Sequence, residues 1–326
     1  MSIMLRSCLR LFSVALILSL FSTSARAEFP DRPIHLVVPY PPGGLVDAMA
    51  RTIQEPLSAV LGQPVIVENR AGAAGAIATR AVAQSTPDGY TLIFGNNGPS
   101  ALVPLIQKDA GYDPIGDFTP ISLVATAPLV LVVHASVPAT DLKGFIDFAR
   151  GQLQGVEYAT AGIGSLGHLT TELFAHKAGL KLTHVPYKGS APAVMAVLGG
   201  EVKMYLSTTS DALDAGIKAG KVHLLGVSTA RSSPLVPNAN PIANVLADFD
   251  VTVWFGILAA RGTPAPIVAR LNSAFHEVLG KADIQQRFNS YGASASASSP
   301  EELGRLIAQE VPKWRATIES AGIKSQ

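Results

Sequence analysis

The chain has 326 residues, 48% of them hydrophobic and 15% charged, with 25 Lys+Arg against 24 Asp+Glu. That length suffices for a large core and suggests two lobes rather than one. A balance so near neutral, with no run of basic residues, argues against nucleic acid or an anionic lipid surface as a partner.

Residues 1–27 read as a signal peptide. Arg6 and Arg10 make a positive start, Leu11 to Phe21 is apolar, and Ala25-Arg26-Ala27 fits a small-x-small cleavage site. The apolar run is too short to span a bilayer. Losing Arg6, Arg10 and Arg26 takes the formal net charge from +1 to −2. The single cysteine, Cys8, lies in this leader, so an exported chain starting near Glu28 depends on its core without a disulfide. No later apolar run is long enough to cross a membrane, so no stable membrane insertion is expected.

Beyond the leader, strand-like runs fall at 34–38, 64–68, 90–94, 128–133, 156–160, 182–186, 202–207, 222–228 and 251–259. Helical patterns lie between most of them, at 46–61, 141–150, 168–178 and 190–198, with further helices from Pro264, Lys281 and Pro300. "SPEEL" at 299–303 has Ser299 as N-cap, Pro300 at the first helical position and acids in the first turn. "SASASS" at 294–299 reads as a loop. The alternation predicts an α/β fold with mainly parallel sheets flanked by helices. Two sheets fit, one from residues 28–127 plus 226–326 and one from 128–225. The chain then crosses twice between lobes and leaves a cleft.

Ligands of open α/β sheets sit beyond the carboxyl ends of strands. Three loops have that placement. In "VVPYPPGGLVDAMAR" (37–51), Pro41 and Pro42 stiffen the turn while Gly43 and Gly44 strip it of side chains. Bare amides at a helix N-terminus attract an anion, especially a carboxylate. Asp47 is a candidate acceptor for a ligand hydroxyl or ammonium, or else a first-turn acid that the helix dipole favours. No Gly-Lys-Ser/Thr follows, so this is not a nucleotide phosphate loop. In "ATAGIGSLGHLTTELF" (159–174), Gly162, Gly164 and Gly167 form G-x-G-x-x-G, but the acid expected of a dinucleotide site is absent. An amide cradle with the Thr160 and Ser165 hydroxyls nearby is the simpler reading. In "HVPYKGSAPAVMAVLGG" (184–200), Tyr187 is placed to close over a small ligand and Lys188 to face solvent.

The histidines form no metal pattern, since Gly280 stands where an H-E-x-x-H motif at His276 would need its second ligand. No metal or cofactor is expected. His168 reads as a polar residue of a helix's first turn, and Trp254 and Trp314 as packing residues.

Four stretches together, "VPYPPGGLVDAMAR", "LGQPVIVENRAGAAGAIATRAVAQSTPDGYTLIFG", "HVPYKGSAPAVMAVLGG" and "WFGILAARGTPAPIVARLN", resemble the tripartite tricarboxylate transporter receptors, the Bug family of solute-binding proteins. The likeness runs in order from about Phe29 to near the C-terminus. It implies a two-lobe periplasmic binding protein fold of type II kind, with two interlobe crossings and a small carboxylic acid enclosed between lobes. The implied acids are di- and tricarboxylates, acidic amino acids or aromatic acids. The implied partner is the membrane permease of the transporter, and no catalytic residue is called for.

The resemblance places the ligand against Tyr40, Pro42, Gly43, Gly44 and Asp47 of the first loop. Facing them are Thr160, Ala161, Gly164, Ser165 and His168 of the second, with Tyr187 from the third. Asn96 and Ala127, near strand ends, complete the expected ligand-binding set. Pro42 before the glycine pair and Leu45-Val46 after it depart from the family turn and narrow and grease the pocket mouth. A rigid turn of this kind meets a carboxylate with fixed donors, sparing ~1–2 kcal/mol per residue that would otherwise be ordered on binding. Two other outputs fit the same cleft. One is a secreted hydrolase or isomerase using Ser165 or a carboxylate, with His168 the only base nearby. The other is a ligand sensor for a signalling system.

Overall fold

The computed structural model describes residues 29–320. The expected leader, with Cys8, lies outside these residues.

The first part of the chain runs β1 (Ile34–Val38), α1 (Leu45–Leu61), β2 (Val65–Asn69), α2 (Ala76–Ala83), β3 (Thr91–Asn96), α3 (Val103–Ile106) and β4 (Phe118–Pro128). The middle part runs β5 (Val130–His134), α4 (Leu142–Arg150), β6 (Val156–Thr160), α5 (Leu166–Ala178), β7 (Leu182–Pro186), α6 (Ser190–Leu198), β8 (Met204–Ser207), α7 (Asp211–Lys218) and β9 (Val222–Val227). The chain then returns through β10 (Thr252–Ala260), α8 (Ala265–Leu279), α9 (Ala282–Ser290), β11 (Ser294–Ala295) and α10 (Pro300–Ser320).

Two sheets organise these elements. One has the order β11-β4-β10-β3-β1-β2 and the other β7-β6-β8-β5-β9. Each supplies the core of one lobe. β1 pairs parallel with β2 and β3, and β6 pairs parallel with β7 and β8. The remaining ladders, including every pair made by β4, β5 and β10, are antiparallel. The expectation of mainly parallel sheets therefore holds for the strands joined by crossover helices and gives way where the chain changes lobes. A strand that leaves one sheet for the other does not return through a right-handed helix, so nothing obliges it to run parallel.

β4 is an addition to the elements predicted. Pro120 sits inside it, and a proline argues against a sheet-interior strand. The ladder admits it at an irregularity, where the β10 partners step from Ile257 opposite Ser122 to Leu258 opposite Pro120. The run 128–133, predicted as one strand, is broken at Leu129, between the end of β4 and the start of β5. Part of the "SASASS" loop pairs with β4 as β11.

Local sequence explains the helices. α1 buries Leu45, Val46, Met49, Ala50, Ile53, Leu57 and Leu61 at helical spacing and stops at Gly62, whose N–H donates to the Ser58 carbonyl. At α10 the Ser299 Oγ accepts from the Glu302 N–H while the Glu302 carboxylate accepts from the Ser299 N–H, a reciprocal capping box. Glu310, nearly buried on α10, accepts from Asn97 Nδ2 and Trp314 Nε1, both at 2.9 Å.

The crossings meet at Ser228, which is wholly buried. Its N–H donates to the Leu129 carbonyl and its Oγ accepts from the Leu129 N–H; its Oγ donates to the Val251 carbonyl, and its own carbonyl accepts from the Val251 N–H. One serine thus ties both strands between the lobes.

Candidate functional site

The first loop is braced from behind. Gly43 takes φ +89°, a conformation that suits glycine. Its N–H donates to Asp47 Oδ2 at 3.0 Å. Asp47 also accepts from Arg51 Nε at both oxygens and from Asn69 Nδ2 at 2.9 Å. Burial pushes this carboxyl up, but the bonds from Arg51, Gly43 and Asn69 outweigh it and hold its pKa below the ordinary aspartate value. The expectation that Asp47 meets a ligand hydroxyl or ammonium gives way here, because its oxygens are spent on the protein. What the brace leaves exposed to the cleft is the N-terminus of α1, where Gly44 is the N-cap and no side chain caps the helix.

The opposite lobe presents two further helix N-termini. At α5, Ser165 is the N-cap and its Oγ accepts from the His168 N–H. At α6, Gly189 is the N-cap, again with no side-chain cap. Beneath the loop between β6 and α5, the rings of His168 and His184 stack at 4.1 Å, and His184 stacks in turn on Tyr158 at 5.0 Å. His168 Nδ1 accepts from the Gly164 N–H, and His184 Nε2 lies 2.6 Å from Thr160 Oγ1, which itself accepts from the Gly162 N–H. Burial pushes the His168 imidazole down to about 4; burial and then the neighbouring His168 push His184 down to about 3. Both rings are neutral at ordinary pH, as an Nδ1 acceptor must be.

The three N-termini converge on one cavity of about 40 Å3. Of the expected residues, Tyr40, Gly44, Asn96, Ala161 and Ser165 line it. Gly43 lines an adjoining pocket of about 270 Å3, and Tyr187 another of about 240 Å3 on the far side of Tyr40 and Ala161. Pro42 is exposed, and neither it nor Asp47, Ala127, Thr160, Gly164 or His168 lines the cavity. Ala127 pairs with Val253 inside the β4–β10 ladder. Thr160, Gly164 and His168 instead hold the loop that carries Ala161 and Ser165. The wall also holds Leu45, Val46, Leu129, Leu166, Gly167, Ser190, Ser207, Thr208, Val253 and Phe255. Val253 and Phe255 are alternate residues of β10 and share one face of it, a signal visible in sequence only once that face is known to be the cleft. Ser190 was legible as a helix start, but not as a wall residue.

No lysine, arginine, histidine or carboxylate is among the residues lining this cavity. Tyr40 donates its hydroxyl to Asn96 Oδ1 at 3.1 Å, and burial raises its pKa, so the phenol stays protonated. Asn96 Oδ1 also accepts from the Gly98 N–H, which leaves the Nδ2 donor as what this amide can offer a guest.

The lobes touch around the cavity. Gln107 Nε2, from the first lobe, donates to the Ile163 carbonyl of the second at 2.9 Å. Gly164 sits against Val103, and Gly189 against Pro41. A Cβ on Gly44 would lie 3.1 Å from Ser190 Oγ, so the α1 and α6 N-termini face each other at close range. Gly167 does not mark a nucleotide loop; it lets α5 pack directly on Ser207 and the Leu206 carbonyl of β8.

A two-lobed cleft lined by helix N-termini has relatives. The tripartite tricarboxylate transporter family receptor model, TctC, matches residues 49–323. The chain belongs to this family. Among solved structures it is similar to the periplasmic binding protein BugD, at 32% identity and TM-score 0.85, covering 91% of this chain and 100% of that one. R. palustris Rpa4515 with adipate is 36% identical at TM-score 0.86, covering 91% and 99%. MatC of Rhodopseudomonas palustris with bound malate is 32% identical at TM-score 0.83, covering 89% and 100%. The family is one of receptors and BugD is a periplasmic binding protein, which agrees with the expectation that this TctC-family receptor is a solute-binding protein and not an enzyme. Among the described residues, no helix is long and apolar enough to cross a membrane. Ser165 Oγ meets the backbone N–H of His168, and the imidazole Nδ1 is taken by Gly164, so this pair is not disposed as nucleophile and base.

Proposed function

We propose that the protein is a periplasmic receptor that captures a small carboxylic acid between its lobes and delivers it to the membrane permease of a tripartite tricarboxylate transporter. The lobes divide as 28–127 plus 226–326 and 128–225, and they rotate about the crossings tied at Ser228. The observation that carries this reading is the cavity itself. Three helix N-termini meet in it, two of them with no side-chain cap, and no charged side chain lines it. Partial positive charge from aligned peptide dipoles and unpaired N–H groups suits an anion. Because those donors are fixed before binding, the guest is not charged for ordering them. The acids held by two neighbours, adipate and malate, are small dicarboxylates.

Isothermal titration against a panel of mono-, di- and tricarboxylates tests this, with Ser190→Asp as the control variant. An acid in the first turn of α6 suits the helix dipole, so the variant folds, while its charge repels a carboxylate guest. The expected result is one-to-one binding of at least one acid, lost in S190D at unchanged melting temperature. Binding of no acid in the panel, or equal binding by S190D, overturns it.

A further inference from the structure

The cavity where the helix N-termini meet is too small for a whole guest. We infer that the receptor seats only a carboxylate group there and lays the rest of the acid in the adjoining pocket of about 270 Å3, so that acids with a long or bulky apolar body bind in preference to short ones. This rests on the carboxylate reading above.

Size is the first argument. A space of about 40 Å3 holds about three waters, no more than the heavy atoms of one carboxylate group. Even a short dicarboxylate is far larger. The lobes already touch beside this space, at Gln107 with Ile163 and at Gly189 against Pro41, so further closure adds no room. Gly44, Leu45, Ser190 and Thr208 line both the inner cavity and the outer pocket, and the two spaces meet at that frame. The pocket beyond Tyr40 shares only Tyr40 and Ala161 with the cavity, and Tyr40 is held in place by its bond to Asn96.

The walls are the second argument. Past the frame, the outer pocket has Ala48 and Tyr291 from the first lobe and Ala191, Val194, Met195 and Ala212 from the second. The Tyr291 hydroxyl accepts from Arg287 Nε at 2.8 Å and lies 3.1 Å from Thr52 Oγ1, which fixes its ring as a wall. Met195 is 63% exposed, an apolar side chain left in water at this pocket. Its unbranched thioether adapts to apolar bodies of varied shape. A polar edge runs through Thr208, Thr209, Ser210 and Asp211 at the start of α7, where Asp211 stays exposed. A body laid on the apolar residues of both lobes buries carbon and holds the lobes together. Each methylene so buried raises affinity by up to about fourfold.

Two length series, acetate to octanoate and succinate to suberate, are titrated calorimetrically into the full exported protein. In whichever series binds, affinity should rise about two- to fourfold per added methylene. Two variants at exposed positions place the body. Ala212→Trp fills the outer pocket with an indole and should flatten the rise. Met195→Gln removes apolar wall and should weaken the longest acids by about three- to tenfold. Melting temperatures check that both variants fold. Affinity that does not rise with length in the wild type overturns the inference and leaves the carboxylate receptor standing. A rise as steep in both folded variants as in the wild type does the same, since the body then lies elsewhere. Binding of no acid in either series overturns both readings.

Discussion

Asp47→Ala separates a brace from a ligand contact. The substitution removes the acceptor for Gly43 N–H and Asn69 Nδ2, each bonded to a carboxylate at 3.0 and 2.9 Å. Hydrogen bonds to charged groups contribute about 1.5–3 kcal/mol each. The Arg51 pair adds little, since Arg51 is 50% exposed and solvent screens it, at about 0–1 kcal/mol. Gly43 is exposed and regains water, so the net loss is about 2–4 kcal/mol, toward the lower half of the gross sum. For a chain of this size that lowers the melting temperature by roughly 4–8 °C. The pH dependence has a definite sign. The folded pKa of Asp47 is depressed, so its contribution is complete above the unfolded value near 3.9 and fades as pH falls through the lower folded value. Wild type and variant should therefore differ at pH 7 and converge in strong acid. The assay is thermal unfolding at several pH values, paired with titration of the cognate acid. A brace predicts a lower melting point and a similar loss of affinity for every acid, because the α1 N-terminus is no longer held. Unchanged melting with affinity lost only for hydroxy or amino acids would refute the brace and return Asp47 to the ligand.

Gln107→Ala removes the interlobe bond to Ile163, worth about 0.5–1.5 kcal/mol. Calorimetry should show affinity falling about two- to tenfold, and equal affinity would mean that closure does not use this contact. Glu310→Ala strands Trp314 Nε1 and leaves Asn97 Nδ2 only its 3.3 Å bond to the Thr252 carbonyl, and should lower the unfolding free energy by about 1–3 kcal/mol; a denaturation midpoint that does not move contradicts the clamp. His168 titrates at about 4 in the fold, whereas a free imidazole does so near 6.5. Between these values the unfolded chain takes up a proton that the folded form refuses, so stability falls as pH drops, by about 1.4 kcal/mol per pH unit. His184, Tyr158 and Glu172 face the same stack, so His184 keeps a slope of its own in His168→Gln. That variant should show a shallower decline than wild type between pH 6 and pH 4, and an identical decline would show that His168 is not buried neutral.

Elements whose signal is local were legible from the residues alone. β1, α1, β6, α6 and α10 lie within a residue or two of their predicted bounds, because helical or strand periodicity, an N-cap serine and a terminal glycine act over a few positions. The family likeness is of the same kind, resting on the order of glycine and proline punctuation. β4 was missed because a proline in a strand is decided by the partner's register, here supplied by β10 more than a hundred residues later. Asp47 shows the same limit at the site. Its chemistry is evident in the sequence, but whether its oxygens face a guest or the chain depends on Asn69, brought beside it when β2 pairs with β1. The wall formed by Leu45, Ser190, Thr208, Val253 and Phe255 joins four separate segments. The sequence determined that bare, rigid turns end certain strands. Only the tertiary structure decided which turns oppose one another and which polar atoms are already paired, because both depend on contacts between residues far apart along the chain.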